Sequence, residues 1–158
     1  MLVLGVDPGL RLTGYGVVRS DGLRTSVVDA GVIRLDASQS IAQRLLEIER
    51  ELDDILTEHK PSIVAIEKLY AHYKRPTTAI LMGHARGVML LCAARSGARL
   101  IELPANRVKK SLTGHGHASK SQMQRGVQAH FGLKSPPEPP DVADALAEAL
   151  CAVRMRGS

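Results

Sequence analysis

Two short apolar runs that end on an acid constrain this chain more than anything else in it. Leu2 to Val6 stops at Asp7-Pro8-Gly9, a turn signal, and Ser62 to Glu67 (Ser-Ile-Val-Ala-Ile-Glu) is a β-branched stretch whose last residue is acidic. Continuous apolar runs of about four to eight residues bounded by turn formers are the pattern of strands buried inside a sheet. Each such strand carries its terminal carboxylate to a place where the backbone is well defined.

The other segments extend this frame. Gly14 to Arg19 and Val27 to Leu35, separated by Asp21-Gly22, predict an antiparallel meander of three strands with the first. From Ser40 the period changes: Ser40 and Gln43 form a capping box, and Ile41, Leu45, Ile48, Leu52 and Ile55 recur at steps of four and three. This predicts an amphipathic helix ending before Pro61. A basic loop, Tyr70 to Pro76, leads to a second helix from about Thr78 to Ser96, apolar or small on most faces and therefore expected to be buried on more than one side. Arg99 to Leu103 reads as a strand, Ala105 to Leu112 as a short helix, and Ser119 with Gln122 as a capping box for a helix to about His130. Pro136, Pro137, Pro139 and Pro140 impose an extended linker into a last helix near Asp141 to Arg154. The order predicts an α/β fold, a mixed five-stranded sheet flanked by helices, in one domain over residues 1–155.

Asp7, Glu67, Asp141 and Asp144 are the candidate site. The spacing of the last two puts them on one helical face, and if strands one and four are parallel neighbours, Asp7 and Glu67 share a sheet edge on which that face can dock. Without a metal such a cluster is unfavourable, because like charges raise one another's pKa. Hard oxygen donors with no His or Cys set point to Mg²⁺, with Mn²⁺ as a substitute. Two such ions about 4 Å apart can activate a water and stabilise the leaving oxygen of a phosphodiester. Taken singly, each acid also has an ordinary reading, as a turn former, a strand-end charge or a favourable charge at a helix N-terminus. Glu148, one turn beyond Asp144 on the same face, is read as solvated.

A formal charge of +5 suits a polyanionic partner but is also found in many proteins that bind none. Cys92 and Cys151 sit in apolar helical stretches without zinc-ligand spacing and read as buried thiols in a reducing cytoplasm. The N-terminal apolar run meets a charge at residue 7, too soon for a signal peptide, and no apolar run approaches the roughly 20 residues of a membrane span. A soluble, cytoplasmic protein with no membrane partner is expected. Among so few aromatics, Tyr70 and Tyr73 next to the second acidic strand stand out.

Gly5-Val6-Asp7-Pro8-Gly9 with Thr13-Gly14-Tyr15-Gly16, Ala65-Ile66-Glu67, Gly83-His84-Ala85-Arg86-Gly87, and Asp141-Val142-Ala143-Asp144-Ala145-Leu146-Ala147 closely resemble the RuvC Holliday-junction resolvases, in order and with the family's spacing over nearly the whole chain. The resemblance implies a ribonuclease H-like fold, a two-fold homodimer, Mg²⁺-dependent cleavage of four-way junctions leaving 5′-phosphates, and cooperation with a branch-migration complex of the RuvA and RuvB type. It implies that Asp7, Glu67, Asp141 and Asp144 are metal ligands, and that Lys109 and Lys120 match basic residues meeting the scissile region. Tyr70 falls where relatives often carry phenylalanine and can stack on an unpaired base, a half-buried core tyrosine being the alternative. The helix around Gly83 to Gly87 corresponds to the family's dimer contact, against tight packing on its own sheet. His115 and His117 flank a glycine and could touch phosphate, but loop histidines usually have no special role.

Two other classes compete. An actin-like or sugar-kinase ATPase also begins with a strand, Asp-x-Gly and a small meander, but needs two similar domains where this chain supplies one. A module that grips branched DNA without cutting it is disfavoured, because uncompensated carboxylates facing phosphate weaken binding.

Overall fold

The alternation of side chains along two central strands sorts the molecule into layers. The computed structural model describes residues 1–69 and 75–155, so Tyr70, Tyr73 and the terminal Arg156-Gly157-Ser158 lie outside the described residues. Strands β1 (Leu2–Asp7), β2 (Leu12–Ser20), β3 (Thr25–Arg34), β4 (Ile63–Glu67) and β5 (Arg99–Leu103) form a five-stranded sheet in the order β3-β2-β1-β4-β5. The β1–β2 and β2–β3 pairs are antiparallel, and the β1–β4 and β4–β5 pairs are parallel. The meander, the parallel neighbours and the mixed sheet are thus all as expected. Around it lie α1 (Ile41–His59), α2 (Pro76–Arg95), α3 (Ala105–Thr113), α4 (Lys120–Phe131) and α5 (Pro140–Arg154).

Leu4 and Val6 of β1 join Val64 and Ile66 of β4 in a core with Ile48, Leu52 and Leu56 of α1 and Ala85, Met89 and Cys92 of α2. Val3 points the opposite way and joins Ile63 and Ala65 in a second core with Val108 of α3, Met123 and Val127 of α4, and Leu146 of α5. Side chains alternate faces with a period of two, so Gly5, Asp7 and Glu67 belong to the second side. Both predicted capping boxes form: Ser40 Oγ accepts from the Gln43 amide at 3.2 Å and Ser119 Oγ from the Gln122 amide at 3.2 Å. Cys92 and Cys151 are buried free thiols.

The second helix departs from expectation. It starts at Pro76, since proline is accepted in a helix's first turn, and it buries one face only, through Met82, Ala85, Met89, Cys92 and Ala93. Gly83 and Gly87 face open space, and Ile80 and Leu91 are 60% and 48% exposed. Tight packing of these glycines on the chain's own sheet is therefore absent. The reason is position: α2 lies at a flank, against α1 and β5. Among the described residues it is also the one helix long and apolar enough, by length and composition, to cross a membrane.

The reverse holds for α5, whose residues from Ala145 to Ala152 are all buried. A Cβ on Gly5 would lie 2.0 Å from the Ala145 carbonyl oxygen, and one on Gly14 would lie 2.1 Å from that of Asp141. Bare backbone on these strands is what lets the helix touch the sheet, lowering its acidic face onto the strand ends.

Candidate active site

Strands β1 and β4 end side by side. Val6 and Ile66 are paired in register, and one residue further each strand presents its acid, Asp7 and Glu67, on the α5 side. The turn after β1 is held by Thr13, whose hydroxyl donates to the Gly9 carbonyl at 3.2 Å and accepts from the Gly9 amide at 3.3 Å. The end of β4 is held by Arg86 of α2, whose Nε donates to the Glu67 carbonyl at 2.9 Å while its guanidinium pairs with Glu102. In the sequence Arg86 stands out only as part of a small-residue segment. An interaction with a backbone carbonyl leaves no pattern in a sequence.

Opposite the strand ends, Asp141, Asp144 and Glu148 follow at steps of three and four along α5, and so share one face. All five carboxylates line one cleft of about 330 Å³, together with Lys109 of α3, Lys120 at the start of α4, Pro8, Val108 and Met123. The four acids expected as ligands and both expected lysines are therefore brought together. His115 and His117 are exposed and line no part of it. A larger groove, about 690 Å³, lies at the opposite end of the sheet among Asp53, Lys60, Ser62 and Arg95. It has no converging acids and sits away from the C-terminal strand ends, where open α/β sheets bind ligands.

Glu148 corrects the sequence reading. Expected to be solvated, it is 1% exposed, because the helix face it shares with Asp141 and Asp144 is the one that docks on the sheet. Among the described residues, neither of its oxygens has a hydrogen-bond partner of normal geometry. Ligand oxygens of Asp7, Glu67 and Glu148 all lie within 4.8 Å of one another. The visible signal is the spacing of seven from Asp141, outweighed by the rule that a helical Glu is seldom buried.

The cluster is electrostatically strained. Burial, then the charges of Asp144, Glu67 and Asp141, pushes the Asp7 carboxyl up to about 8, with Lys120 opposing. Glu67 is raised by burial and by Asp144, with Lys109 opposing. Asp144 is raised mainly by burial, against the pull of Lys120. Glu148 stands well above the usual carboxylate range, through burial first and then through Asp7, Glu67 and Asp144, with a weaker opposing influence from the Val6 backbone. Two lysines do not balance five acids. With orphaned carboxylate oxygens and no His or Cys among the described residues that line the cleft, the donor set fits a hard divalent cation of the Mg²⁺ type.

Comparison with known proteins agrees with this geometry. A family model described as crossover junction endodeoxyribonuclease RuvC matches residues 3–152. A crossover junction endodeoxyribonuclease RuvC of Rhodopirellula baltica is 48% identical over 149 residues, which cover 94% of this chain and 84% of that one. The Thermus thermophilus RuvC structure superposes with a TM-score of 0.86 at 32% identity, covering 99% of this chain and 96% of that one. T. thermophilus RuvC in complex with Holliday junction substrate gives 0.88 at 29% identity, with the same coverage.

Proposed function

The chain belongs to the RuvC family of crossover junction endodeoxyribonucleases and has the family's ribonuclease H-like fold, and from this premise we propose that it resolves DNA four-way (Holliday) junctions in recombination and repair by metal-dependent hydrolysis. The observation that carries the reading is the convergence of acids from β1, β4 and α5 in one cleft whose rim holds Lys109 and Lys120. Residues 1–155 act as one nuclease domain. Asp7, Glu67, Asp141 and Asp144 hold the metal, two Mg²⁺ ions per site with Mn²⁺ as a substitute. Bound there, the ions supply an activated water and offset the charge that develops on the phosphate.

The chain's own residues do the rest. Lys109 and Lys120 engage phosphate oxygens beside the scissile bond, and their place on the middle of α3 and the start of α4 sets the strand's path over the acids. Attack by water on phosphorus expels the 3′ oxygen, leaving 5′-phosphate and 3′-hydroxyl ends. Val108, Met123 and Pro8 wall the cleft. Tyr70 stacks on an unpaired base near the exchange point. The protein acts as a homodimer through the free face of α2, where Ile80, Gly83, Gly87 and Leu91 are exposed and Leu46 of α1 adds apolar surface. Its working partners are the junction and a cytoplasmic branch-migration complex of the RuvA and RuvB type.

Incubation with a synthetic four-way junction and Mg²⁺, with and without ATP, tests the reading. Paired symmetric nicks without ATP are expected. A requirement for ATP would indicate an actin-like ATPase, and tight binding without cleavage a junction-binding module.

A further inference from the structure

We propose that Glu148 is a fifth ligand of this site, holding one divalent cation together with Asp7 and Glu67 on the floor of the cleft. The proposal rests on the metal-dependent nuclease reading and adds a ligand that the four-acid set lacks. Three observations carry it. The ligand oxygens of Asp7, Glu67 and Glu148 come within 4.8 Å of one another, near the roughly 4.2 Å that separates two oxygens on opposite sides of one Mg²⁺. Asp141 and Asp144 line the same cleft but do not enter that trio.

Glu148 is also 1% exposed, with both carboxylate oxygens unpartnered among the described residues, and it lines the cleft rather than the apolar side of α5. A buried carboxylate without a partner is costly, and packing alone gives no reason for it, since the adjoining helix positions Ala145, Ala147, Ala149 and Leu150 are apolar. Finally, the charges that act most on Glu148 are Asp7, Glu67 and Asp144, all negative, whereas Lys120 opposes the shift of Asp7 and Lys109 that of Glu67. Glu148 is thus the member of the trio whose principal charged neighbours are all acids. A metal ion supplies the positive charge it lacks.

Metal-free protein without DNA gives the test, with free Mn²⁺ followed by electron paramagnetic resonance and melting followed in EDTA and in Mn²⁺. Glu148→Gln, Glu148→Met and Asp7→Asn are compared with wild type. Glu148→Gln is expected to weaken the tightest Mn²⁺ site by about tenfold or more. In EDTA it should melt at or above the wild-type temperature, with a smaller rise on adding Mn²⁺. Glu148→Met fills the same space and gives the same readouts if the Gln variant does not fold; failure of both to fold in EDTA would show that the fold needs Glu148 without metal and would overturn the proposal. Unchanged Mn²⁺ affinity in a folded Glu148 variant, with affinity lost in Asp7→Asn, would remove Glu148 from the site and leave the nuclease reading standing. Unchanged affinity in Asp7→Asn as well would overturn both.

Discussion

Gly5 of β1 and Gly16 of β2 face each other across the antiparallel ladder, and α5 lies directly on the pair. Two residues along, Asp7 is paired with Gly14, whose missing side chain admits the Asp141 backbone. The same bare strip that seats the helix thus fixes the height of Asp141, Asp144 and Glu148 above Asp7 and Glu67. The geometry of the acid cluster and the helix–sheet packing are one arrangement, and substitutions in the strip should affect both.

A Cβ at Gly5 would lie 2.0 Å from the Ala145 carbonyl oxygen, which no rotamer change relieves, whereas one at Gly16 first meets the Leu146 side chain at 2.7 Å. Gly5→Ala is expected to cost about 3 kcal/mol and Gly16→Ala about 1 kcal/mol. Urea denaturation at unchanged slope measures the difference. Gly14→Ala, which pushes on Asp141, should reduce cleavage more than its stability loss accounts for. Equal stability losses at Gly5 and Gly16 would contradict the geometry of the strip.

Asp7→Asn should abolish cleavage while junction binding stays intact or tightens, because an ion ligand is removed and repulsion of phosphate falls. Gel-shift and cleavage assays on one synthetic junction separate the two effects. Ca²⁺, which tolerates less rigid geometry, should support binding without efficient turnover. Wild-type rates in the variant would refute the ligand assignment.

Much of this is legible in the sequence because burial and period coincide. Val3, Leu4 and Val6 announce a strand covered on both faces, and the same alternation that sends Val3 toward α5 sends Asp7 there too. What stays hidden depends on interactions across the chain. Glu148 shares its helical face with Asp144, but only the docked helix shows that this face is closed to water. Arg86 donates to the Glu67 carbonyl, a group every residue possesses. The small residues of α2 signal close approach, yet nothing within the sequence says whether the approaching surface belongs to the same chain, and Gly83 and Gly87 face open space.

Lys109 and Lys120 offset the acids of the cleft, so replacing either removes a positive charge from the site and, on the proposed function, from the surface that meets DNA. Each Ala variant should lower the cleavage rate, and a log–log plot of junction affinity against salt should become shallower by about 0.9 for each phosphate that is no longer neutralised. Unchanged rates and slopes would return both lysines to ordinary surface residues.

Raised carboxylate pKa values make a signed prediction about metal-free stability. Asp7, pushed up to about 8, and Glu67, Asp144 and Glu148, also raised, bind more protons in the folded than in the unfolded chain once pH exceeds about 4. Their contribution is therefore complete below that pH and is lost as pH rises toward 8. His130, lowered by burial and by Arg154, works in the opposite sense around neutrality, so wild type must be compared with Asp7→Asn. In EDTA, the melting temperature of wild type relative to the variant should fall between pH 5 and 8, and Mg²⁺ should remove most of that fall. A flat difference would mean that the acids are not strained in the folded state.

Resolution of a four-way junction requires cuts in two strands of like polarity at related positions, and a two-fold dimer supplies two copies of one active site in that relation. Each chain has one cleft in which acids from β1, β4 and α5 converge, at the C-terminal ends of the parallel strands, while the exposed apolar face of α2 lies on the far side of the sheet from α5. A dimer joined there leaves both clefts open, and each subunit should nick one strand. A mixed dimer of one intact subunit and one Asp7→Asn subunit, given a supercoiled cruciform plasmid, should release nicked circles where wild type yields linear DNA. Charge substitution in the joining face, Leu91→Glu, should shift the protein toward monomer in sedimentation and lower the linear product in step. Linear DNA formed by the mixed dimer within a single binding event would show that one cleft serves both strands, and the symmetric mechanism would then be wrong.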